Sequence, residues 1–427
     1  MSIPAVPKSL RPLLDAFRPC FTTPTFTTFV ALTVGVIAAP TRRTVCGMLT
    51  AARLGGTWHH SRAHRFFASA RWSLDRVGVV MLGLVVGWLT PAGAPLLIAV
   101  DDMLFRRSGK KVHGAVWAYD GSRQVAKGQA KLSKGTTFVV AAVVVVALPF
   151  AERPIALPVL FRLWRPGGPT KTVLARDLVR LIAAARSDRR IHVVADGAYV
   201  CSTLRQLPVN VTLTGPLPRN AALYEVHPDL DNPPNMRGRR GWPRTRGESI
   251  GTPADLAATT PGQQVTVTRY GRTATVTVHE RRCLWYGAFR SQPVRVLVVR
   301  EPRRSGLALL TTDTTTAAAE LIERYSMRWS VGGRILRREA CHRRRRGPQP
   351  HPARGGAHRP FRDAHPDPGD PLVSPRRAFT GRRRRAPRPG ALVHHQTPSQ
   401  LSRHARQAAP HADRCPIWCR PTWRPHP

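Results

Sequence analysis

The chain has 427 residues, enough for two or three domains and a sizeable core. It carries 67 Lys+Arg against 24 Asp+Glu, a formal net charge of +43, and few globular proteins tolerate such self-repulsion without a polyanion to neutralise it. Nucleic acid is the first candidate partner and an anionic membrane surface the second; seven cysteines without paired metal spacing argue against a zinc site, the nearest approach being Cys415-x3-Cys419.

Residues 1–95 read as a mostly helical region. Phe26 to Pro40 is apolar but broken by threonines and lies too far in for a secretory signal. Thr44 precedes a helical run from Val45 to Leu54, and a second run spans His64 to Trp88, with Gly78, Gly83 and Gly87 in its latter part. Val77 to Val100 is apolar enough to suggest a membrane span, but Thr90, Pro91, Gly93 and Pro95 interrupt it.

From residue 96 the pattern changes to strands and crossovers. Leu96 to Val100 is a continuous apolar run that ends on Asp101-Asp102. Val112 to Tyr119 and Thr136 to Ala147 follow as β-rich stretches, and Val-rich Phe138 to Phe150 is too short to cross a membrane as a helix. Lys171 to Ala185 has helical spacing. Ile191 to Ala195 is a short buried strand that ends on Asp196-Gly197. Strands, then a helix, then a strand predict a mixed α/β sheet with helices on its faces. Residues 205–300 read as an antiparallel β-rich insertion, with Val265 to His279 alternating and Arg295 to Arg300 a further strand. Thr314 to Ser330 reads as a helix capped by Thr314, Thr315 or Thr316.

At about residue 332 the composition breaks. Residues 332–427 hold 22 Arg, no Lys, 16 Pro and 9 His, with no sustained apolar period. Such a stretch cannot bury enough surface to offset its chain entropy, which predicts a disordered basic tail.

Two apolar strands that each end on Asp are suited to phosphoryl transfer on DNA. That reaction needs a nucleophilic water and charge stabilisation at the leaving oxygen, which two Mg²⁺ ions held by convergent carboxylates supply. An Asp after a strand also commonly caps the next turn, and the strand residues alone leave open whether Asp101 or Asp102 is the ligand. A Ser/His or Cys/His hydrolase has little support: there is no Gly-x-Ser-x-Gly elbow, and Cys201 with His192 is no better than a chance pairing.

Ile98-Ala99-Val100-Asp101-Asp102-Met103, followed by Arg106-Arg107-Ser108-Gly109-Lys110-Lys111, resembles the first-aspartate segment of bacterial insertion-sequence DDE transposases, although Met103 stands where those proteins usually have Thr. Val193-Val194-Ala195-Asp196-Gly197-Ala198-Tyr199 resembles their second-aspartate segment. Tyr325-x2-Arg328-x3 matches the opening of their Tyr-x2-Arg-x3-Glu-x6-Lys signature, with Trp329-Ser330-Val331 before the expected Glu. The likeness spans roughly residues 60–331. It implies an RNase H-like core over 96–331, with the β-rich insertion at about 205–300, behind an N-terminal helical DNA-binding region over 1–95. It implies Asp101 and Asp196 as catalytic metal ligands for two Mg²⁺, with Asp102, Tyr325 and Arg328 supporting the site or contacting DNA. The implied partner is double-stranded DNA, as element terminal repeats and target. The implied setting is the cytoplasm, at the nucleoid, with no stable membrane partner, and a homodimer suits a transposition complex.

The signature requires Glu at position 332, and this chain has Gly332. Read one base later, codons for Gly-Gly-Arg-Ile-Leu-Arg-Arg can give Glu-Val-Ala-Phe-Phe and then Asp-Ala. The codon of Glu339, in that frame, becomes one for Lys or Arg, which completes the signature. Asp363 and the residues after it likewise become an apolar stretch. These coincidences predict a frameshifted tail over 332–427 and a protein inactive as written. The other readings of the sequence are a DNA-binding protein without catalysis and, through Val77 to Val100, an integral membrane protein.

Overall fold

The computed structural model describes residues 6–39, 44–107, 109, 111–126, 128–146, 148, 151, 153–231, 246–302 and 306–328. Trp329, Gly332, Glu339, Asp363, Cys415, Cys419 and the whole region 332–427 therefore lie outside the described residues.

Five helices come first: α1 (Arg11–Asp15), α2 (Thr23–Ala38), α3 (Val45–Ala51), α4 (His60–Ala68) and α5 (Leu74–Leu89). The apolar stretch around Phe26 is thus helical. Thr44 caps α3 as expected, its Oγ1 accepting the Gly47 N–H at 3.1 Å. Leu32, Met48, Leu49, Leu54, Trp58 and Phe66 join α2, α3 and α4 in one buried cluster. The single run expected over His64 to Trp88 is two helices. The indole N–H of Trp72 donates back to the Phe66 carbonyl, folding the chain between them, and Ser73 restarts it by capping Arg76. Gly78 has a packing role: a Cβ there would stand 2.2 Å from Leu160 Cδ2 and 2.8 Å from the Val159 carbonyl, so its absence lets α5 lie close against the sheet. Val77 to Val100 is shared between α5 and the strand after it. Among the described residues no helix is long and apolar enough to cross a membrane.

The strands are β1 (Leu96–Arg106), β2 (Ala115–Tyr119), β3 (Leu132–Val145) and β4 (Ile155–Trp164), then α6 (Lys171–Ala185), β5 (Ile191–Ala195) and β6 (Val211–Pro216). β4, between β3 and α6, carries no clear alternation and was not visible in the pattern. β3 pairs antiparallel with both β1 and β4, whereas β1, β5 and β6 run parallel, giving a mixed core in the order β4-β3-β1-β5-β6. This is the mixed sheet with flanking helices that the sequence led us to expect. Its β6 falls inside residues 205–300, so the antiparallel insertion begins later than expected. The reason is the parallel pairing Ile191↔Val211 to Val194↔Thr214, which buries β6 in the sheet centre.

Beyond β6 come β7 (Leu223–Val226), α7 (Pro228–Asp231), β8 (Arg246–Gly251), α8 (Pro253–Thr259), β9 (Gly262–Arg269), β10 (Arg272–Trp285), β11 (Val294–Arg300), β12 (Leu307–Thr311) and α9 (Ala318–Met327). Val265 to His279 is a hairpin rather than one strand. Tyr270 (φ 56°) and Gly271 (φ 76°) both sit in left-handed conformation, the two-residue turn that matches strand twist. β12 returns antiparallel beside β6, which joins the insertion to the core in one 12-stranded sheet.

One sheet face packs on α5 and α6 through Leu82, Val85, Ile98, Val100, Leu178, Ile182 and Val193. The opposite face buries Leu97, Ala99, Ala142, Val144 and Val194, with Met327 of α9 packed against them.

Candidate active site

β1 does not stop at Asp101-Asp102, as the apolar run suggested. It continues to Arg106 because β3 pairs with it along that length, Asp101 opposite Val140 and Arg106 opposite Gly135. The parallel neighbour β5 does stop. Its last pair with β1 is Val100↔Ala195, so Asp101 and Asp196 occupy the next positions of adjacent strands. Alternation puts both on the α9 face, in line with Ala99 and Val194, and puts Asp102 on the α6 face in line with Val100.

Side-chain contacts follow that division. Arg328, at the end of α9, reaches both acids of its face: Nη1 lies 3.1 Å from Asp101 Oδ2 and Nη2 lies 3.9 Å from Asp196 Oδ1. Asp101 also accepts the Asp102 N–H at 2.9 Å, and Asp196 accepts the Gly197 N–H at 2.8 Å, so Asp196 caps its turn as well as facing the site. On the other face Asp102 pairs with Lys171 Nζ at 2.5 Å, while the Tyr199 hydroxyl lies 3.5 Å from Asp102 Oδ1. The Lys171 ammonium stands 5.4 Å from the Trp164 ring centre, a cation–π contact that holds it over β4.

Burial pushes the Asp101 carboxyl above its ordinary range. Arg328 and the Asp102 N–H pull it back down, and the Asp102 and Asp196 charges push it up again. Burial raises the Tyr199 phenol strongly, with Asp102 and Asp101 adding to the shift. Tyr325 is raised by burial against the lowering effect of Arg328, whose guanidinium lies 5.7 Å from its ring centre.

Sequence reasoning missed Lys171, the role of Tyr199, and a second cluster beneath the first. His192 Nδ1 lies 2.7 Å from Thr212 Oγ1 and 3.3 Å from Asp313 Oδ2. Asp313 accepts the backbone N–H groups of Thr315 and Thr316, both at 3.0 Å, and the Thr316 hydroxyl at 2.8 Å. Arg324 stands 3.6 Å from Asp313 and bonds Glu320 one turn back. The three threonines expected to cap α9 do not: Ala317 is its N-cap, and Asp313 holds Thr315 and Thr316 instead. The available signal was the spacing Glu320, Arg324, Arg328, which marks one charged stripe along α9.

Two hard-oxygen carboxylates that already share one cation suit a divalent metal. Asp101, raised by burial and by like charge, would gain from a second positive charge beside it. Among the described residues no group of three His, Cys, Asp or Glu side chains is arranged to hold a metal ion.

The sequence matches the family described as DDE superfamily endonuclease over residues 16–292, which include both aspartate segments. The chain belongs to that family. Its members generally use divalent metal ions, in keeping with the donor set of Asp101 and Asp196. No curated protein matches the chain. A solved structure with some likeness is the cryo-EM structure of a piggyBac transposase synaptic complex with hairpin DNA, at 12% identity and a TM-score of 0.32. The match covers 78% of this chain and 63% of that one, so this DDE protein spans less than two thirds of that transposase's length.

Proposed function

We propose that this protein is a DNA transposase that binds element ends and acts by metal-dependent phosphoryl transfer, with Asp101 and Asp196 as the metal-holding pair. The observation that carries the reading is that each directly follows the last register pair of two adjacent parallel strands, on one face, within reach of the same guanidinium. Mg²⁺ held by these carboxylates would supply an activated water and neutralise charge on the leaving oxygen. The chain's own residues do the rest. Arg328 neutralises the pair before DNA arrives and offers a planar donor set for a phosphate. Lys171 and Tyr199 anchor Asp102, and with it the strand that carries Asp101. Tyr325 packs beside Arg328 and fixes its direction.

The signature that Tyr325 and Arg328 open requires Glu at position 332, and this chain has Gly332 there. We read this as loss of frame, leaving the chain able to occupy element ends and nearly unable to cut them. The test compares three full-length proteins in Mg²⁺-dependent cleavage of duplexes taken from the DNA flanking the gene: this chain, Gly332→Glu and the frame-restored form. The restored form should exceed the chain as written by on the order of a thousandfold, about 4 kcal/mol of transition-state stabilisation. Gly332→Glu should recover little, because Gly333 and the Arg-rich residues behind it remain. Full activity in the chain as written would overturn the loss of frame. A chain that binds no duplex, or binds it without falling steeply as salt rises, would overturn the transposase reading itself.

A further inference from the structure

The face of the sheet that carries Asp101 continues past the carboxylates into an aromatic surface that the chemistry above does not use. Alternation along β1 places Met103 and Phe105 on that face. The antiparallel pairs Met103↔Phe138 and Phe105↔Thr136 carry it to β3, and Lys134↔Trp117 and Leu132↔Tyr119 carry it to the edge strand β2. Phe105, Phe138 and Phe161 form a ladder of edge-on rings, with centres 5.7 and 6.2 Å apart. Further along the same face, on β2, Trp117 is 67% exposed and Tyr119 70% exposed, two large aromatic side chains in solvent at alternate positions of one edge strand. Residues 103–135 contain eight Lys and Arg against a single acid, Asp120, which is buried and paired with Arg106.

Exposed rings on a basic surface are what unpaired bases bind: each ring stacks one base, and the surrounding cations take the phosphates. From Asp101 to Trp117 the path is six residues along β3 and two strands across, about 22 Å. That span corresponds to on the order of six nucleotides at duplex spacing. We propose that the β2–β3 surface, through Trp117 and Tyr119, holds unpaired bases of the DNA whose backbone lies at Asp101 and Asp196. This rests on the transposase reading, and it adds that the bound DNA is locally opened within one turn of the cut.

The experiment uses the full chain as written and two probes, a blunt duplex and the same duplex with a single-stranded extension. The chain should bind the extended probe more tightly. Trp117→Ala and Tyr119→Ala should each remove on the order of tenfold of that advantage, and Trp117→Phe should keep most of it. In the unsubstituted chain, 5-iodouracil placed in the extension should photocross-link to Trp117 or Tyr119, a readout that does not depend on how well a variant folds. Equal affinity for the two probes, or cross-links confined to other residues, overturns the proposal while leaving duplex binding intact. A DNA-independent dimer that Trp117→Ala dissociates, with probe preference unchanged, also overturns it and assigns the surface to a second copy of the chain. Failure to bind either probe is a different result, since it removes the transposase reading as well.

Discussion

Two carboxylate–arginine clusters sit one helical turn apart along α9, on the same face of the sheet, and they are built to opposite ends. In the lower one Asp313 is 4% exposed, Arg324 lies 3.6 Å away, and Thr315 and Thr316 supply the remaining donors. Burial pushes its carboxyl up, but those hydrogen bonds more than offset this and hold it at about 2. In the upper cluster Asp101 and Asp196 side chains are 27% and 55% exposed, and one arginine serves both. Asp101 is shifted upward, since burial and two neighbouring acids outweigh that single cation. A carboxylate given every partner it needs is structural. A group of carboxylates short of positive charge is placed to receive a cation from solution.

The largest effect expected from this contrast is on catalysis. In the frame-restored protein, Asp101→Ala and Asp196→Ala should each lower Mg²⁺-dependent strand cleavage by at least on the order of a thousandfold. Asp102→Ala, on the far face with Lys171, should cost no more than about tenfold, because it acts only by steadying β1. Equal losses at Asp101 and Asp102 would show that the face assignment does not separate ligand from support.

How much of this was legible in the sequence depends on which physical signal each residue leaves. The strands that lead to Asp101 and Asp196 were readable because each is a run of apolar β-formers, and α6 because its apolar residues recur at helical spacing. Which of Asp101 and Asp102 shares a sheet face with Asp196 was not readable. It turns on strand register, which is fixed by the end of β5 at Ala195, 94 residues beyond Asp101. β1 was read as ending at Asp101 because polar residues in a strand look like a terminus, when β3 carries the pairing on to Arg106. β6 was assigned to the insertion because a short strand does not announce whether its neighbour is parallel. Lys171 and Asp313 were missed for one reason: each acts on a residue distant in sequence, Asp102 and His192, and no local pattern encodes that.

The next effect is on stability, and it should fall on the other cluster. Asp313→Asn, measured by urea unfolding of the chain as written, should cost about 3 kcal/mol, because the Thr315 and Thr316 donors lose a charged acceptor in a buried site while Arg324 keeps Glu320. Asp101→Asn should cost less than Asp313→Asn, because loss of the Arg328 contact is offset by relief from burial and from the Asp102 and Asp196 charges. A large loss at Asp101 with little at Asp313 would reverse the assignment of structural and functional roles.

The smallest effect separates the clusters by pH. His192 is 9% exposed, and burial with the nearby Arg324 charge lowers it from 6.5 to about 4 against the opposing pull of Asp313. Neutral imidazole is therefore the folded form. As pH falls from 6.5 towards 4 the unfolded chain takes up the proton and the folded chain does not, so stability drops across that window. The shift corresponds to on the order of 2 to 3 kcal/mol. Asp313 adds its own loss at lower pH, between 3.8 and about 2, since its folded value lies below its ordinary one. Asp101 works in the opposite direction: its raised value favours the protonated fold, so its contribution is greatest in acid and is lost as pH rises through the folded value. His192→Asn keeps an amide donor where Nδ1 faces Asp313 and removes the titration. Urea midpoints of this variant should stay nearly level between pH 6.5 and 4, while those of the unsubstituted chain decline. If both decline alike, acid sensitivity in that range belongs to other groups, and the lower cluster contributes only through Asp313 and Arg324.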